Sequence, residues 1–322
     1  MTTLVPEQQE RPDALGRFAP SPSGRFHVGN IFASLVAALV ADKMILRIED
    51  LDPDRSKQRF IDGVMHDLAW FGFEWVGEPV HQSAADRQEA YRAALAKLEE
   101  AGLIYPCFCS RADLHSARAP HVGEEYIYQN TCKQLSDDER AARALVRDPA
   151  LRLDVADAPV QVFDDAFQGS CSYDLAESSG DFIVRRSDGV FAYQLAVVVD
   201  DAAAGVNSVV RGVDLLASTP KQLFLQESLG YERPEYGHVP IFIDESGRKL
   251  SKRNADASLA YLIEELHLEP QDILGYLASL TGLTPEFQPM SLDELRRFAD
   301  LTQLKGKRSV IWRAPERALR GH

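Results

Sequence analysis

The stretch 14–48 constrains the fold more than any other part of the chain. Two apolar runs, 14–19 and 44–48, flank residues 29–41, which are small and apolar on all sides. The runs read as strands, and the segment between them reads as a helix buried on several sides. The first run leads into Pro20-Ser21-Pro22-Ser23-Gly24, which must be loop, and the second ends in the acidic turn Glu49-Asp50-Leu51-Asp52-Pro53-Asp54. Strand, loop, helix and strand in that order form the unit of a parallel sheet, so an α/β fold is expected.

The remaining alternation is coarser. Helices are expected at 56–71, with Phe60, Val64 and Leu68 at helical spacing, and from Ser83 to Gly102, opened by a Ser83/Asp86 capping box. Residues 103–180 hold all four cysteines and show no clean alternation, which reads as an insertion. Strands follow at 182–185 and 190–192, joined through Ser187-Asp188-Gly189, and again at 208–210 and 239–243. Thr219-Pro220-Lys221-Gln222 opens a helix, with Thr219 as cap and Gln222 closing the box, and Gly230 ends it. After Ser258 the pattern is helical to about residue 298.

Composition excludes several classes. With 322 residues, 45% hydrophobic and 26% charged, the chain is ordinary globular material of about two domains, not disordered or fibrous. No apolar run approaches the roughly 20 residues that span a bilayer, and residues 1–13 lack a signal-peptide core, so no membrane partner and a cytoplasmic location are expected. Four cysteines make no disulfide scaffold. The net charge of −14 argues against a generic nucleic-acid coat protein. Local basicity remains: Arg296, Arg297, Lys305, Lys307, Arg308, Arg313, Arg317 and Arg320 face only Asp300 and Glu316 in the last 27 residues (296–322), and this segment, with the basic loop at 248–253, is where a nucleic-acid backbone would be held and released as salt rises. Nothing in the sequence demands more than a monomer.

Three constellations carry chemistry. The loop from Gly16 to Asn30 feeds a helix N-terminus, whose N–H groups and dipole favour an anion such as phosphate. Gly24 and Gly29 permit close backbone approach, and His27 can donate to a phosphate oxygen. Taken alone, the loop reads as a Pro-rich connector with a surface histidine. The second constellation, Arg248-Lys249-Leu250-Ser251-Lys252-Arg253, can neutralise a departing pyrophosphate, with lysine as a mobile point charge; alone, it is also a solvated basic loop. The third is Cys107-Phe108-Cys109 followed by Tyr128 and Cys132. Two thiols, a spacer and a further ligand pair outline a structural zinc site, with Tyr128 supplying oxygen in the fourth place and Tyr126 as the alternative. Small buried core cysteines are the competing reading. Cys171 fits no ligand spacing and is expected to be buried.

His27-Val28-Gly29-Asn30 and Lys249-Leu250-Ser251-Lys252-Arg253 together resemble the two signatures of class I aminoacyl-tRNA synthetases. Arg47-Ile48-Glu49-Asp50-Leu51-Asp52, the segment from Tyr193 to Asp201, and Val210-Arg211-Gly212-Val213-Asp214-Leu215-Leu216 resemble the glutamate branch. The resemblance spans residues 16–258. It implies a Rossmann-type parallel-sheet catalytic domain from 14–105 and 181–243, a zinc-containing insertion at 106–180, and a loop and helical region at 244–322. Residues 254–322 are too few for the large helical anticodon-binding domain of a full glutamyl-tRNA synthetase, so none is expected. A short core with this Cys/Tyr pattern resembles the glutamyl-Q tRNA(Asp) synthetase family. That family activates glutamate with ATP without tRNA. It then transfers glutamate to the cyclopentenediol of queuosine in the anticodon stem-loop of tRNA(Asp).

The resemblance implies roles by residue. Arg17, Phe18, Ala19, Pro20, Ser21, Glu49, Tyr193 and Arg211 would bind L-glutamate, the two arginines on its carboxylates and Glu49 on its ammonium. His27, Gly29, Asn30, Lys249, Ser251 and Lys252 would bind ATP and its Mg²⁺, and His27 and Lys252 would be catalytic. Cys107, Cys109, Tyr128 and Cys132 would hold one structural Zn²⁺. Asp200 and Asp201 match without an assigned role. The chain departs from the pattern at the joint Asp42-Lys43, where a longer, glycine-containing turn is usual. Two other readings stay open. One is glutamate activation for a different acceptor, such as another tRNA, a carrier protein or a small amine. The other is a catalytically dead binding protein, against which intact His27 and Lys252 speak.

Overall fold

The computed structural model describes residues 13–22, 24, 26–52, 56–110, 127–250 and 255–315. The first unit is β1 (Leu15–Phe18), α1 (Val28–Val40) and β2 (Lys43–Ile48), with β1 and β2 parallel in the register Leu15↔Lys43 to Phe18↔Leu46. The two-residue joint closes without glycine. The Ala14 carbonyl accepts from the N–H of Asp42 (2.8 Å) and of Lys43 (3.1 Å), the Asp42 carboxylate accepts from Ala14 N (2.8 Å), and Ala41 ends α1 in an extended conformation. Those bonds replace the left-handed cap that a glycine would provide.

α2 (Gln58–Trp70) leads to β3 (Val80–His81), parallel to β2, and then to α3 (Ala85–Glu100). The expected Ser83/Asp86 box does not form: Ser83 gives both its N–H and its hydroxyl to the buried Asp50 (2.8 Å each), and α3 starts after Ala84 with no side-chain cap bond. Where the sequence lacks clean alternation, the chain forms β4 (Ile104–Cys107), α4 (Asp137–Ala144), β5 (Ala150–Leu153), β6 (Gln161–Asp165), β7 (Gly169–Tyr173) and α5 (Leu175–Ser178). β8 (Phe182–Arg185) pairs antiparallel with β5, which pairs antiparallel with β4. The strand expected at 190–192 is only a bridge from Phe191 to Arg185. Cys171 lies half-exposed on the β6–β7 hairpin, not buried as expected.

α6 (Tyr193–Ala204), β9 (Ser208–Gly212), a 3₁₀ turn (Val213–Ser218), α7 (Thr219–Leu229), β10 (Glu235–Val239) and β11 (Ile241–Ile243) follow. The single strand expected over 239–243 is split at Pro240, which has no N–H to offer a ladder. β10 stays beside β9, while β11 pairs with β12 (Ser309–Ile311) beyond α8 (Leu259–Glu264), α9 (Pro270–Thr281) and α10 (Leu292–Phe298).

β3-β2-β1 form one parallel sheet, and β9, β10 and β6 form another with β7 antiparallel at its edge. Asn207 joins them: its Oδ1 accepts from Leu15 N (2.8 Å) and its N–H donates to the Leu15 carbonyl (3.1 Å). The chain therefore runs outward from β1 in one direction and from β9 in the other, and ligands bind in the crevice at such a reversal. α1 covers the seam, which explains its apolar character on all sides: Val28, Ile31, Phe32, Leu35 and Val36 are buried. Among the described residues no helix is long and apolar enough to cross a membrane.

Candidate active site

The seam opens into a cleft of about 500 Å³. Arg17, Phe18, Ala19, Pro20, Ser21, His27, Gly29, Asn30, Glu49, Tyr193, Arg211 and Lys249 all line it. Ser251 and Lys252 lie outside the described residues, so the second signature is represented here by Lys249 and the core residue Leu250.

His27 caps α1 with its own ring. Nδ1 accepts from Gly29 N (3.1 Å) and Asn30 Oδ1 accepts from His27 N (3.2 Å). Because Nδ1 accepts, the ring proton of neutral His27 sits on Nε2 as a donor. Gly29 makes this possible: a Cβ there would lie 2.9 Å from His27 Cε1 and 3.1 Å from Nδ1. The backbone loop is fixed to the acidic turn, since Glu49 N donates to the Pro20 carbonyl (3.0 Å) and Ser21 Oγ donates to Glu49 (3.2 Å).

Below the cleft floor lies a buried charge cluster. Arg47, 1% exposed, pairs with Asp201 through Nη1 and with Glu49 through Nη2 (3.3 Å). Asp201 also faces Arg17 Nε (3.6 Å), and Arg17 Nη1 donates to the Val210 carbonyl (3.1 Å). Asp200 accepts from Gln82 (2.8 Å) and Tyr91 (2.7 Å) and lies 4.0 Å from Arg47. The two aspartates that the sequence left without a role thus neutralise the arginines that order the cleft. Burial pushes the Glu49 carboxyl above its ordinary range, with Arg47 and Arg17 opposing. Burial works against the Arg47 charge, yet Asp201, Glu49 and Asp200 hold its pKa above the ordinary arginine value.

Arg211 is different. It is 5% exposed, and its donors all go to neutral acceptors: Nε to His238 Nε2 (3.0 Å), Nη1 to Gln222 Oε1 (2.8 Å) and Tyr193 Oη (3.4 Å), and Nη2 to Thr219 Oγ1 (2.8 Å). No described carboxylate pairs with it. Thr219 and Gln222, read from sequence as helix-cap residues, serve this guanidinium instead, and α7 starts after Ser218 with no side-chain cap bond. His238 carries no motif signal and was legible only from the fold.

At the outer wall, Lys249 Nζ pairs with Asp214, whose carboxylate occupies the space above Gly212; a Cβ on Gly212 would lie 2.4 Å from Asp214 Oδ1. The turn leading to Lys249 is held by Asp244, which accepts from Ser246 and Arg248, and these bonds lower its carboxyl to about 2. In the basic C-terminal segment two of the cations serve the fold: Arg296 pairs with Asp293 (3.0 Å), and Lys307 donates to the Thr281 carbonyl at the end of α9 (2.9 Å). Lys305, Arg308 and Arg313 are exposed, and Arg317 and Arg320 lie outside the described residues.

A second cluster lies where β4 ends. The sulfurs of Cys107, Cys109 and Cys132 all fall within 4.8 Å of one another. Tyr128 Oη is 3.5 Å from Cys107 Sγ and 3.6 Å from Cys109 Sγ, and Cys109 and Cys132 sulfurs are 3.5 Å apart. A tetrahedral ion with about 2.3 Å bonds to sulfur and about 2.0 Å to oxygen has edges of about 3.8 Å and 3.5 Å, so the four side chains fit one metal. Donors also converge: Arg152 Nε donates to Cys107 Sγ (3.2 Å), Phe108 N to Cys132 Sγ (3.2 Å), and the Arg152 guanidinium lies 3.7 Å over the Tyr128 ring. Burial alone would raise the Cys107 thiol, but bonds from Tyr128 and Arg152 outweigh it and lower its pKa; Cys109, lacking the arginine, is pushed by burial up to about 12. Tyr126 lies outside the described residues.

Residues 14–308 match the family of class I tRNA synthetases (E and Q), catalytic domain. Similar curated proteins include the glutamyl-Q tRNA(Asp) synthetase of Nitratidesulfovibrio vulgaris, 42% identical over 85% of this chain and 88% of that protein. The protein of the same name from Symbiobacterium thermophilum is 42% identical over 90% of this chain and 93% of that protein. Among solved structures, a glutamate-tRNA synthetase from Elizabethkingia anophelis superposes with a TM-score of 0.78 at 22% identity, covering 94% of this chain and 68% of that one, which is a likeness of fold.

Proposed function

The chain belongs to the class I tRNA synthetases of the E and Q type and, within them, to the glutamyl-Q tRNA(Asp) synthetases, and we propose that it joins L-glutamate to queuosine in tRNA(Asp) in two steps. In the first, an α-carboxylate oxygen of glutamate attacks the α-phosphorus of ATP, and pyrophosphate leaves. In the second, a hydroxyl of the queuosine cyclopentenediol attacks the acyl carbon of glutamyl-adenylate, and AMP leaves with the hydroxyl proton lost to solvent.

One observation carries the glutamate reading: Arg211 is a buried cation in the cleft wall whose partners among the described residues are all neutral. A buried ion costs several kcal/mol in lost hydration, which hydrogen bonds to neutral groups offset only in part. A substrate carboxylate supplies the missing counter-charge. Arg17 takes the other carboxylate, Glu49 the ammonium, and Tyr193 and the loop from Phe18 to Ser21 close the pocket. Asparagine or glutamine side chains would leave a guanidinium without its anion, which favours glutamate.

His27 Nε2, Asn30, Lys249 and Lys252 act on the phosphates, with Mg²⁺ carried on ATP. No protein nucleophile is needed; placement and charge do the work. Zn²⁺ on Cys107, Cys109, Tyr128 and Cys132 would be structural, because tetrahedral sites with four protein ligands have no open position for chemistry. The exposed cations Lys305, Arg308 and Arg313 contribute to holding the RNA backbone of the anticodon stem-loop.

The test is amino-acid-dependent exchange of pyrophosphate into ATP without tRNA. Exchange with L-glutamate, and little with glutamine or aspartate, is expected; absence of exchange with glutamate would overturn the reading. The same assay tests His27. Gly29→Ala should keep the fold, since alanine suits a helix start at least as well as glycine. Its Cβ displaces the His27 ring, so turnover should fall about tenfold or more while the glutamate KM stays near native. Native turnover in Gly29→Ala would remove His27 from the phosphate step.

A further inference from the structure

Arg211 is aligned by groups that lie beyond the cleft. Its Nε–H can only donate, so His238 Nε2 must accept, and the ring proton must sit on Nδ1, bonded to Asp165 Oδ2. Thr219 Oγ1, 3.2 Å from the same Nε2 and accepting from Arg211 Nη2, closes the arrangement. Asp165 is itself fixed: its other oxygen, Oδ1, accepts from Phe167 N (3.0 Å), Gln168 N (2.9 Å) and His238 N (3.0 Å). Gln168 then donates to the His238 carbonyl (2.8 Å) and to the Lys307 carbonyl (3.0 Å). His238 is fully buried, and its ring stacks at 12° on Tyr236.

We propose that Asp165 and His238 are positioning residues for glutamate: Asp165 fixes the Nδ1–H tautomer of His238, and His238 thereby holds the Arg211 fork for the substrate carboxylate. The proposal rests on the reading of the cleft as a glutamate site. Only a neutral imidazole in this tautomer can serve; the other tautomer would aim an N–H at the guanidinium. Burial and the neighbouring Arg211 charge push His238 below its ordinary pKa, with Asp165 opposing.

The two oxygens of Asp165 divide the roles, which makes Asp165→Asn the informative variant. Oδ1 and its three backbone bonds are retained, so the local fold is held. The amide that replaces Oδ2 donates towards Nδ1, turns the His238 tautomer over, and removes the acceptor from Arg211 Nε. Glutamate KM in the exchange assay should rise about tenfold, the effect of one lost hydrogen bond to a charged group, with the ATP KM and the melting temperature near native. Nitrogen-15 NMR of the His238 ring should show Nδ1–H in the native chain and Nε2–H in the variant.

An Nε2–H ring in the native chain overturns the proposal, as does an unchanged glutamate KM once the tautomer has turned over. If Asp165→Asn does not fold, His238→Gln, which keeps an acceptor for Arg211, is compared with His238→Leu, which does not. A near-native glutamate KM for the glutamine variant and a raised one for leucine support the relay; equal values overturn it. A native chain without glutamate-dependent exchange overturns the glutamate reading itself, whereas native exchange that Asp165→Asn leaves unaltered overturns the relay alone.

Discussion

Arg211→Lys should lower kcat/KM for glutamate by about a hundredfold or more while leaving the ATP KM near its native value. The charge is conserved, so only the fork is lost. Arg211 reaches His238, Gln222, Thr219 and Tyr193 from three nitrogens on one rigid plane. An ammonium is a single point with three donors on a flexible stem and cannot reach all four acceptors and a carboxylate together. Each buried acceptor left without a donor costs about 1–3 kcal/mol, so two of them at about 1.5 kcal/mol each amount to about a hundredfold. A lysine variant with native glutamate KM would show that charge alone suffices and would remove the geometric basis of the pocket.

The second large effect concerns the metal. Native protein should contain about one zinc per chain, and Cys132→Ser should lose it. Cys132 is fully buried; its sulfur accepts from Phe108 N, and its own N–H donates to Tyr128 Oη (2.9 Å), so it ties both halves of the cluster together. Structural zinc contributes folding free energy outright. If the metal contributes even about 5 kcal/mol, its loss should lower the melting temperature by about 10–20 °C. The variant should become protease-sensitive around β4 and β5 before the parallel sheets unfold. A native chain that is metal-free and melts as high as the zinc-loaded one would make the cysteines ordinary core residues.

The parts of this molecule that were legible in the sequence are those in which local chemistry and global fold agree. The β1–α1–β2 unit was readable because a helix apolar on every side can only be covered by a sheet and its neighbours, and Pro/Gly punctuation marked its loop. Positions from Arg17 to Ser21, His27, Glu49, Tyr193, Arg211 and Lys249 could be named from motifs, and the fold brings them to one cleft. What stayed hidden depends on long-range contacts. Ser83 and Thr219 look like helix caps because a hydroxyl before a helix has that use by default, yet Asp50 and Arg211 take them over. Asp165 and His238 lie 73 residues apart and meet only because β6 pairs with β10. The strands within 103–180 are hidden in the sequence because hydrophobicity does not follow burial there: the buried positions of β6 are Gln161 and Asp165, and β7 has no fully buried position.

The most direct test of the proposed function is the acceptor. Labelled L-glutamate, ATP and the full chain are incubated with tRNA(Asp) that carries queuosine and with the unmodified transcript of the same tRNA. Label should enter the queuosine-containing tRNA alone and be lost when the anticodon nucleoside is removed. Equal labelling of both, or labelling at the 3′ end, would contradict transfer to queuosine and leave a glutamate-activating enzyme with a different acceptor.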